Sequence, residues 1–302
     1  MKSVAKLWFP IGMLLLVLAS WTPASAQCDR CRIPILSIAT GVQAIGLGGA
    51  YVTGDGPDAV YHNPAQAGSA RGTSLGFERI GEASLVQLAT TGASGRFSFG
   101  TSIRFLTHRD NPAPEDSASL RAGGLVAGLS LATQVRGIWV GGAAKFVSPD
   151  LGADDGGVGF DVGVAVSRFG LLLGLAAQDL GRDVTTAGVR QQMPTRVSLG
   201  ASLPSNSIST YFDFGASAQL TWERGGKLVP AGGVELTYEP VSGWTLTGRV
   251  GAHRRIDRAG ELQQSAFGLG ASFAHNSLSL DYAFQPAVAG GHPVHALGIR
   301  IQ

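Results

Sequence analysis

From Gly72 onward the chain reads as about fourteen short alternating segments, and the links between them are of two kinds. One set is tight: Gly92–Gly95, Arg136–Gly137, Arg168–Gly170, Glu239–Gly243 and Ala274–Ser277. The other is mostly longer and carries much of the charge: Thr107–Ser119, Ser148–Gly156, Asp179–Pro194, Glu223–Lys227, Arg254–Gln263 and Gln285–Gly291. One short link, Gly81-Glu82, falls among the long ones. A soluble sandwich has no reason to sort its connections by rim. A β-barrel crossing an outer membrane does, with tight periplasmic turns and longer outside loops.

The segments expected as strands are 72–80, 83–91, 96–107, 119–135, 138–147, 157–167, 171–178, 195–203, 209–222, 228–239, 244–254, 264–273, 278–285 and 292–301. Aromatics mark one face. Phe97, Phe99, Thr101, Ile103 and Phe105 alternate with Ser98, Gly100, Ser102 and Arg104. Leu278, Leu280, Tyr282 and Phe284 alternate with Ser279, Asp281 and Ala283. Side chains alternate across a strand, so one face is apolar and the other small or polar. In lipid the apolar face points outward. An even strand count returns both ends to the rim with short turns.

Composition agrees. Glycine supplies 44 of 302 residues, about twice the usual ~7%, and mean hydropathy is positive. Yet no apolar run after the first 26 residues reaches the ~18 residues of a membrane helix. A closed barrel pairs every backbone group in lipid without helices. Lys145 and Lys227 are the only lysines beyond that leader. Removing Lys2 and Lys6 with the leader leaves 21 basic and 21 acidic side chains, so no basic face for nucleic acid is implied.

Residues 1–26 read as a secretory signal: Lys2 and Lys6, an apolar Phe9–Leu18 stretch, then Ala24-Ser25-Ala26 before Gln27. Cys28 and Cys31 follow. A redox pair or metal site is the sharp reading; a local disulfide in an oxidising compartment is favoured. Residues 27–71 lack period-two alternation and are broken by glycines, Pro57 and Pro64. They are expected as helical or irregular structure, able to fill the lumen of the barrel formed by 72–302.

The stretch Ala44–Gly68, AIGLGGAYVTGDGPDAVYHNPAQAG, resembles the N-terminal signature of the FadL-like outer-membrane barrels, including the PorV/PorQ branch associated with type IX secretion. The matching positions are Gly46, Gly48, Gly49, Ala50, Asp58, Ala59, Tyr61, Asn63, Pro64 and Ala65. The C-terminal stretch around Asp281-Tyr282-Ala283-Phe284 is similar to that branch too. The resemblance implies an all-β, fourteen-stranded antiparallel transmembrane barrel in the cell outer membrane, with an N-terminal plug in its lumen. The plug and ligand pocket would draw on Gly46, Gly48, Gly49, Tyr51, Asp58, Tyr61, Asn63 and Pro64, with Ile45 and Leu47 adding apolar surface.

Chemistry-bearing patterns are sparse. The Gly46-x-Gly48-Gly49 cluster lacks the spacing and the Gly-Lys-Ser/Thr of a phosphate loop, so packing is preferred. His292 and His295, three apart on a strand, face opposite sides and make a poor metal pair. Serines and scattered acids do not select a catalytic site. No enzyme, cofactor or metal is expected. Arg104, Lys145, Asp161, Arg196, Asp213, Glu235, Arg249, Asp281 and Arg300 fall on the small or polar faces. A polar path through the lumen is one reading. Internal ion pairs holding plug to wall are preferred, because unpaired buried charge is costly. The leading expectation is passive transport of small hydrophobic molecules, with outer-membrane lipid as surroundings. The alternative is an accessory of type IX secretion that binds cargo or translocon proteins. A secreted soluble β protein is the third reading.

Overall fold

The computed structural model describes residues 33–108, 123–149, 156–186, 189–256, 262–287 and 292–302. The expected signal segment 1–26, the Cys28/Cys31 pair, Arg109–Asp116 and the Asp154-Asp155 pair lie outside them.

The strands are β1 (Gly72–Ile80), β2 (Ala83–Ser94), β3 (Phe97–His108), β4 (Gly124–Val135), β5 (Ile138–Ser148), β6 (Gly157–Arg168), β7 (Leu171–Gly181), β8 (Val184–Thr186), β9 (Val189–Gln191), β10 (Arg196–Ser209), β11 (Phe212–Glu223), β12 (Lys227–Val241), β13 (Trp244–Ile256), β14 (Leu262–His275), β15 (Leu278–Gln285) and β16 (Val294–Ile301). Fourteen of them, all but β8 and β9, form one antiparallel closed barrel. Closure is made by β1 against β16, from Thr73 opposite Ile301 to Ile80 opposite Val294. Strand identity, order and faces therefore follow the period-two pattern.

One rim carries two-residue turns. Arg136 and Gly137 have φ of 52° and 83°, Phe169 and Gly170 of 55° and 75°. Paired positive φ values match the right-handed twist of the flanking strands. Both barrel ends, Gly72 and Ile301, lie on this rim. By the usual asymmetry of such barrels it is the periplasmic one.

Two stretches differ from expectation. Asp179–Pro194 is not a plain loop. Strand β7 runs on to Gly181, and β8 and β9 pair as a separate hairpin. Its two three-residue strands are too short to show a period. The extension of β7 passes through a bulge, where the pairing with β6 shifts between Phe160 and Val162. Asp161 Oδ1 accepts from the Asp179 N–H at 2.7 Å there, and Asp179 takes φ 57°. A bulge sets two residues against one and re-aims the strand. The strand expected over 195–203 continues, as β10, through Pro204 to Ser209, with a register shift between Leu203 and Asn206. Proline is accommodated at such irregularities.

The apolar faces point outward. Leu129, Phe160, Leu246, Phe267, Leu280 and Ile299 are all exposed, as are most of their outward neighbours. A continuous apolar exterior of this size would aggregate in water. On a closed barrel it is the surface that contacts acyl chains. The protein is an outer-membrane β-barrel. Its core is inside, where the N-terminal segment packs.

Candidate functional site

The segment Ile33–Arg71 winds through the lumen as short turns. Helix α1 (Pro34–Ser37) lies at the outer end and α2 (Val42–Gly46) lower down. Two 3-10 turns follow, Pro57–Tyr61 and Pro64–Gly68. Each of these but α2 opens on a proline, whose missing N–H costs nothing in a first turn.

At the outer end Ile33, Ile35 and Leu36 are fully buried among Leu85, Leu106, Val126, Val147, Val184 and Met193. The hairpin thus roofs α1, with the Ile33 N–H donating to Gln192 O at 3.4 Å. Arg104 reaches in from β3 and donates to the carbonyl oxygens of Ile35 and Ile38. A four-residue helix leaves all its last carbonyls without intrahelical partners, and the guanidinium satisfies that of Ile35 together with that of the cap residue Ile38.

Further down, the inward glycine stripes meet the plug. A Cβ built on Gly298 would lie 3.0 Å from Val42 Cγ2, and on Gly233 2.8 Å from Leu47 Cα. On Gly174 it would lie 2.9 Å from Thr53 Cγ2, on Gly141 2.6 Å from Pro64 C, and on Gly100 3.2 Å from Val60 Cγ1. Small wall residues are where plug backbone approaches. The plug reciprocates at Gly48, which has φ 64° and whose added Cβ would collide with Ala252 backbone. Gly46 lies against the Gly270 backbone.

Side chains then fix the register. Asn63 caps the second 3-10 turn by accepting from the Ala65 N–H at 3.0 Å. Its amide nitrogen donates to Val52 O at 3.1 Å within the plug and to Val164 O at 3.2 Å on β6. Tyr61 Oη donates to Leu88 O at 2.7 Å. Gln219 Oε1 accepts from the N–H groups of Tyr51 and Val52 at 3.0 and 2.8 Å. Gln87 Oε1 accepts from the Gly41 N–H at 3.2 Å, and its amide nitrogen donates to Glu78 at 2.6 Å.

The inward charges form two separate networks. In one, Lys145 on β5 binds Asp161 on β6, with a closest oxygen at 2.8 Å, and Asp179 on β7; Arg196 on β10 reaches Asp179 at 3.2 Å. In the other, Arg249 pairs with Glu235 at 3.0 Å and Arg300 with Asp281 at 2.7 Å. The second network continues into the plug. With the Gln43 amide turned to satisfy its neighbours, its oxygen accepts from Arg300 at 2.9 Å and Arg249 at 3.1 Å, and its nitrogen faces Tyr51 Oη. Tyr51 Oη in turn donates to Asp58 at 3.3 Å. The ion pairs themselves join strand to strand. Arg104, Arg249 and Arg300 add the links to the plug. Asp213 stands apart, accepting from Ser207 Oγ at 2.6 Å.

Burial pushes the Asp58 carboxyl up to about 6, with Arg300 offsetting part of the effect. Burial pushes His62 down to about 4. Its Nε2 contacts Thr40 O at 2.8 Å, so the neutral ring carries its proton there. Burial likewise raises Tyr51, with Asp58 and Asp55 adding to it.

The plug divides the free lumen. Above it, an outer chamber of about 250 Å³ is bounded by Leu36, Ile38, Tyr61, His62, Gln178, Arg196, Gln219, Val229, His253 and Arg255, among others. Below it lies an inner pocket of about 80 Å³, bounded by Leu47, Tyr51, Asp55, Leu172, Leu203, Glu235 and Arg249, among others. The residues expected to share one apolar pocket are therefore distributed. Tyr61 faces the chamber, Leu47 and Tyr51 the inner pocket, and Ile45 packs on the wall with Val42, Ala283 and Ala296. Gln43, Gln87, Gln178 and Gln219 were not anticipated. Gln87 and Gln219 stand at inward positions of their strands, so parity alone could have flagged them. Gln178 and Asp179 sit at a bulge that parity does not follow.

No family model and no curated protein matches the sequence. Solved structures do match in fold. The crystal structure of the Ralstonia pickettii toluene transporter TbuX superposes with a TM-score of 0.58 at 15% identity, covering 87% of this chain and 98% of that one. The Pseudomonas putida toluene transporter TodX gives 0.51 at 11% identity, with 86% and 96% covered. A bacterial polysaccharide outer membrane secretin gives 0.51 at 8% identity, with 76% and 97% covered. The chain shares the barrel fold of these outer-membrane proteins.

Proposed function

We propose that the protein is a passive, FadL-like outer-membrane channel for small hydrophobic molecules. The observation that carries this reading is the outer chamber, set between the barrel mouth and an internal plug on a fold shared with two toluene transporters. Its volume is just below the ~300 Å³ at which ligand pockets usually begin, which favours compact cargo. Leu36, Ile38, Tyr61 and Val229 offer apolar contact, while Gln178, Arg196 and Arg255 would orient any polar substituent. Transfer inward requires the plug to yield near Leu47–Tyr51, which borders both spaces. The proposed role is passive passage and includes no reaction step.

The test is uptake of labelled toluene and of a labelled fatty acid by cells with and without the gene. Slower uptake on deletion, restored by the intact gene, is expected. Equal rates for both compounds would remove the proposal. The secretion-accessory reading rests on the N-terminal motif alone, and no contact described above favours it. Co-purification of large secretion-system proteins with the barrel would revive it.

A further inference from the structure

We propose that one arc of the short-turn rim, the turns joining β2 to β3, β4 to β5 and β6 to β7, docks on anionic phospholipid headgroups of the periplasmic leaflet. Each of these turns carries an exposed arginine: Arg96, Arg136 and Arg168. Among the described residues none of the three has an ion-pair partner. Consecutive turns lie two strands apart, roughly 10 Å at the spacing of neighbouring strands. The other turns of that rim, Thr210-Tyr211, Ser242-Gly243 and Asn276-Ser277, hold no lysine or arginine. Positive charge in the turns is therefore confined to one side of the barrel.

Apolar side chains share the same turns. The Arg96 guanidinium carbon lies 5.0 Å from the Phe97 ring centre, and that of Arg168 5.1 Å from the Phe169 ring centre. Such stacking uses the face of a guanidinium, whereas its N–H donors lie in the plane. Val135 and Ile138, a directly opposed pair, flank Arg136-Gly137 and are both exposed. Phe169 is the extreme case. It is 91% exposed and has φ 55°, a conformation that asparagine or glycine adopts more readily at such a turn. A bulky ring at that position gains nothing for the fold in water. At the level of the headgroups its apolar surface is covered.

Placement selects lipid over an acidic protein. Phe97, Val135, Ile138 and Arg168 stand at outward positions of their strands, Arg168 opposite the exposed Leu171. The arc thus follows the perimeter, directly beneath the surface that contacts acyl chains, and does not surround the lumen mouth. Basic side chains interleaved with aromatic and aliphatic ones at the edge of an apolar belt make an interfacial anchor. A guanidinium at each turn matches one phosphodiester anion. This inference goes beyond the cargo and does not depend on it.

Native mass spectrometry of the purified barrel in neutral detergent tests it, with dioleoyl phosphatidylglycerol and dioleoyl phosphatidylcholine as probes. Both lipids carry a phosphate and the same chains, and only the first has net charge. A basic side chain beside an anionic lipid surface contributes about fivefold in binding, so the parent should prefer phosphatidylglycerol by about that factor at each of the turns. The combined variant Arg96→Gln, Arg136→Gln and Arg168→Gln should lose most of the preference. Arg79→Gln, which removes an outward charge near the opposite rim, should keep it. Heat-modifiable gel mobility confirms that each variant is folded. Equal binding of the two lipids, a preference unchanged in the combined variant, or a loss as large in Arg79→Gln would overturn the arc as a lipid site. So would complete displacement by equimolar glycerophosphoglycerol, which would make it a free-anion site, or tighter binding of polyglutamate than of the lipid, which would assign it to an acidic protein.

Discussion

Replacing Gly141 by alanine places a methyl group 2.5 Å from Ala65 N and 2.6 Å from Pro64 C, both plug backbone. Ordinary carbon contacts begin near ~3.5 Å, so the second 3-10 turn must retreat by about 1 Å. That turn is held by Asn63, whose bonds to Val52 O and Val164 O are already 3.1 and 3.2 Å long. Moving it breaks the wall bond. Overpacking costs about 1–3 kcal/mol and the lost hydrogen bond about 1 kcal/mol. The docked plug then loses at least about 2 kcal/mol, roughly a thirtyfold rise in its undocked fraction. Gly142, one position along, faces lipid, and its added methyl group meets nothing closer than Asp161 O at 3.8 Å. Single-channel recording in planar bilayers should therefore show frequent openings for Gly141→Ala and none beyond the parent for Gly142→Ala. Proteolysis of residues 33–71 should accelerate in the first variant alone. If both variants conduct alike and resist protease alike while still folded, the glycine stripes are not plug seats.

Lys145→Met leaves Asp161 and Asp179 with Arg196 as the remaining cation of that network; breaking a buried pair costs about 3–5 kcal/mol. The temperature at which the folded gel band shifts should fall, and adding Asp161→Asn should recover part of it. Asn63→Ala removes a cap and two carbonyl partners, and should raise plug proteolysis without lowering that transition. Asp58 and His62 titrate in opposition. Asp58 binds its proton more tightly in the docked plug, so its contribution is full below its ordinary 3.8 and fades as pH rises through about 6. His62 is held neutral, so its contribution is full above 6.5 and fades as pH falls through about 4. The two slopes nearly cancel between pH 4 and 6. Asp58→Asn should make openings more frequent on acidification across that window, and His62→Phe less frequent; matching flat profiles in both variants would refute the pairing.

The barrel was legible because a strand exposes its environment residue by residue. Phe99, Ile103 and Phe105 against Ser98, Ser102 and Arg104 states both the strand and its two solvents. What lies inside is not stated so directly. A small inward residue such as Gly141 or Gly233 looks the same whether it faces water or a packed backbone. Irregular structure hides its partners further. Asp179 sits in a bulge that looks like loop, and β8–β9 is shorter than any period. Tyr51 and Tyr61 share a motif, yet the chain turn between them sends one to each side of the plug.

The two charge networks show why the plug, rather than solvent, completes this lumen. Lys145, Asp161, Asp179 and Arg196 neutralise one another within the wall. Arg249 and Arg300 are different. Glu235 and Ser272 take donors of Arg249, and Asp281 and Ser279 take donors of Arg300; Arg249 Nη2 and Arg300 Nη1 and Nη2 turn to Gln43 of the plug. Buried guanidinium donors left without an acceptor cost more than a neutral bond returns. The plug therefore docks where the wall is polar and incomplete, as well as where it is small. Glycines along Gly141, Gly174 and Gly233 set how near the segment comes. Gln43 and Asn63 set which residue lies opposite which. A sequence that kept the glycines but replaced Gln43 by leucine would fit the same space and leave the Arg249 and Arg300 donors that face Gln43 without that acceptor, so shape alone does not hold the plug in register.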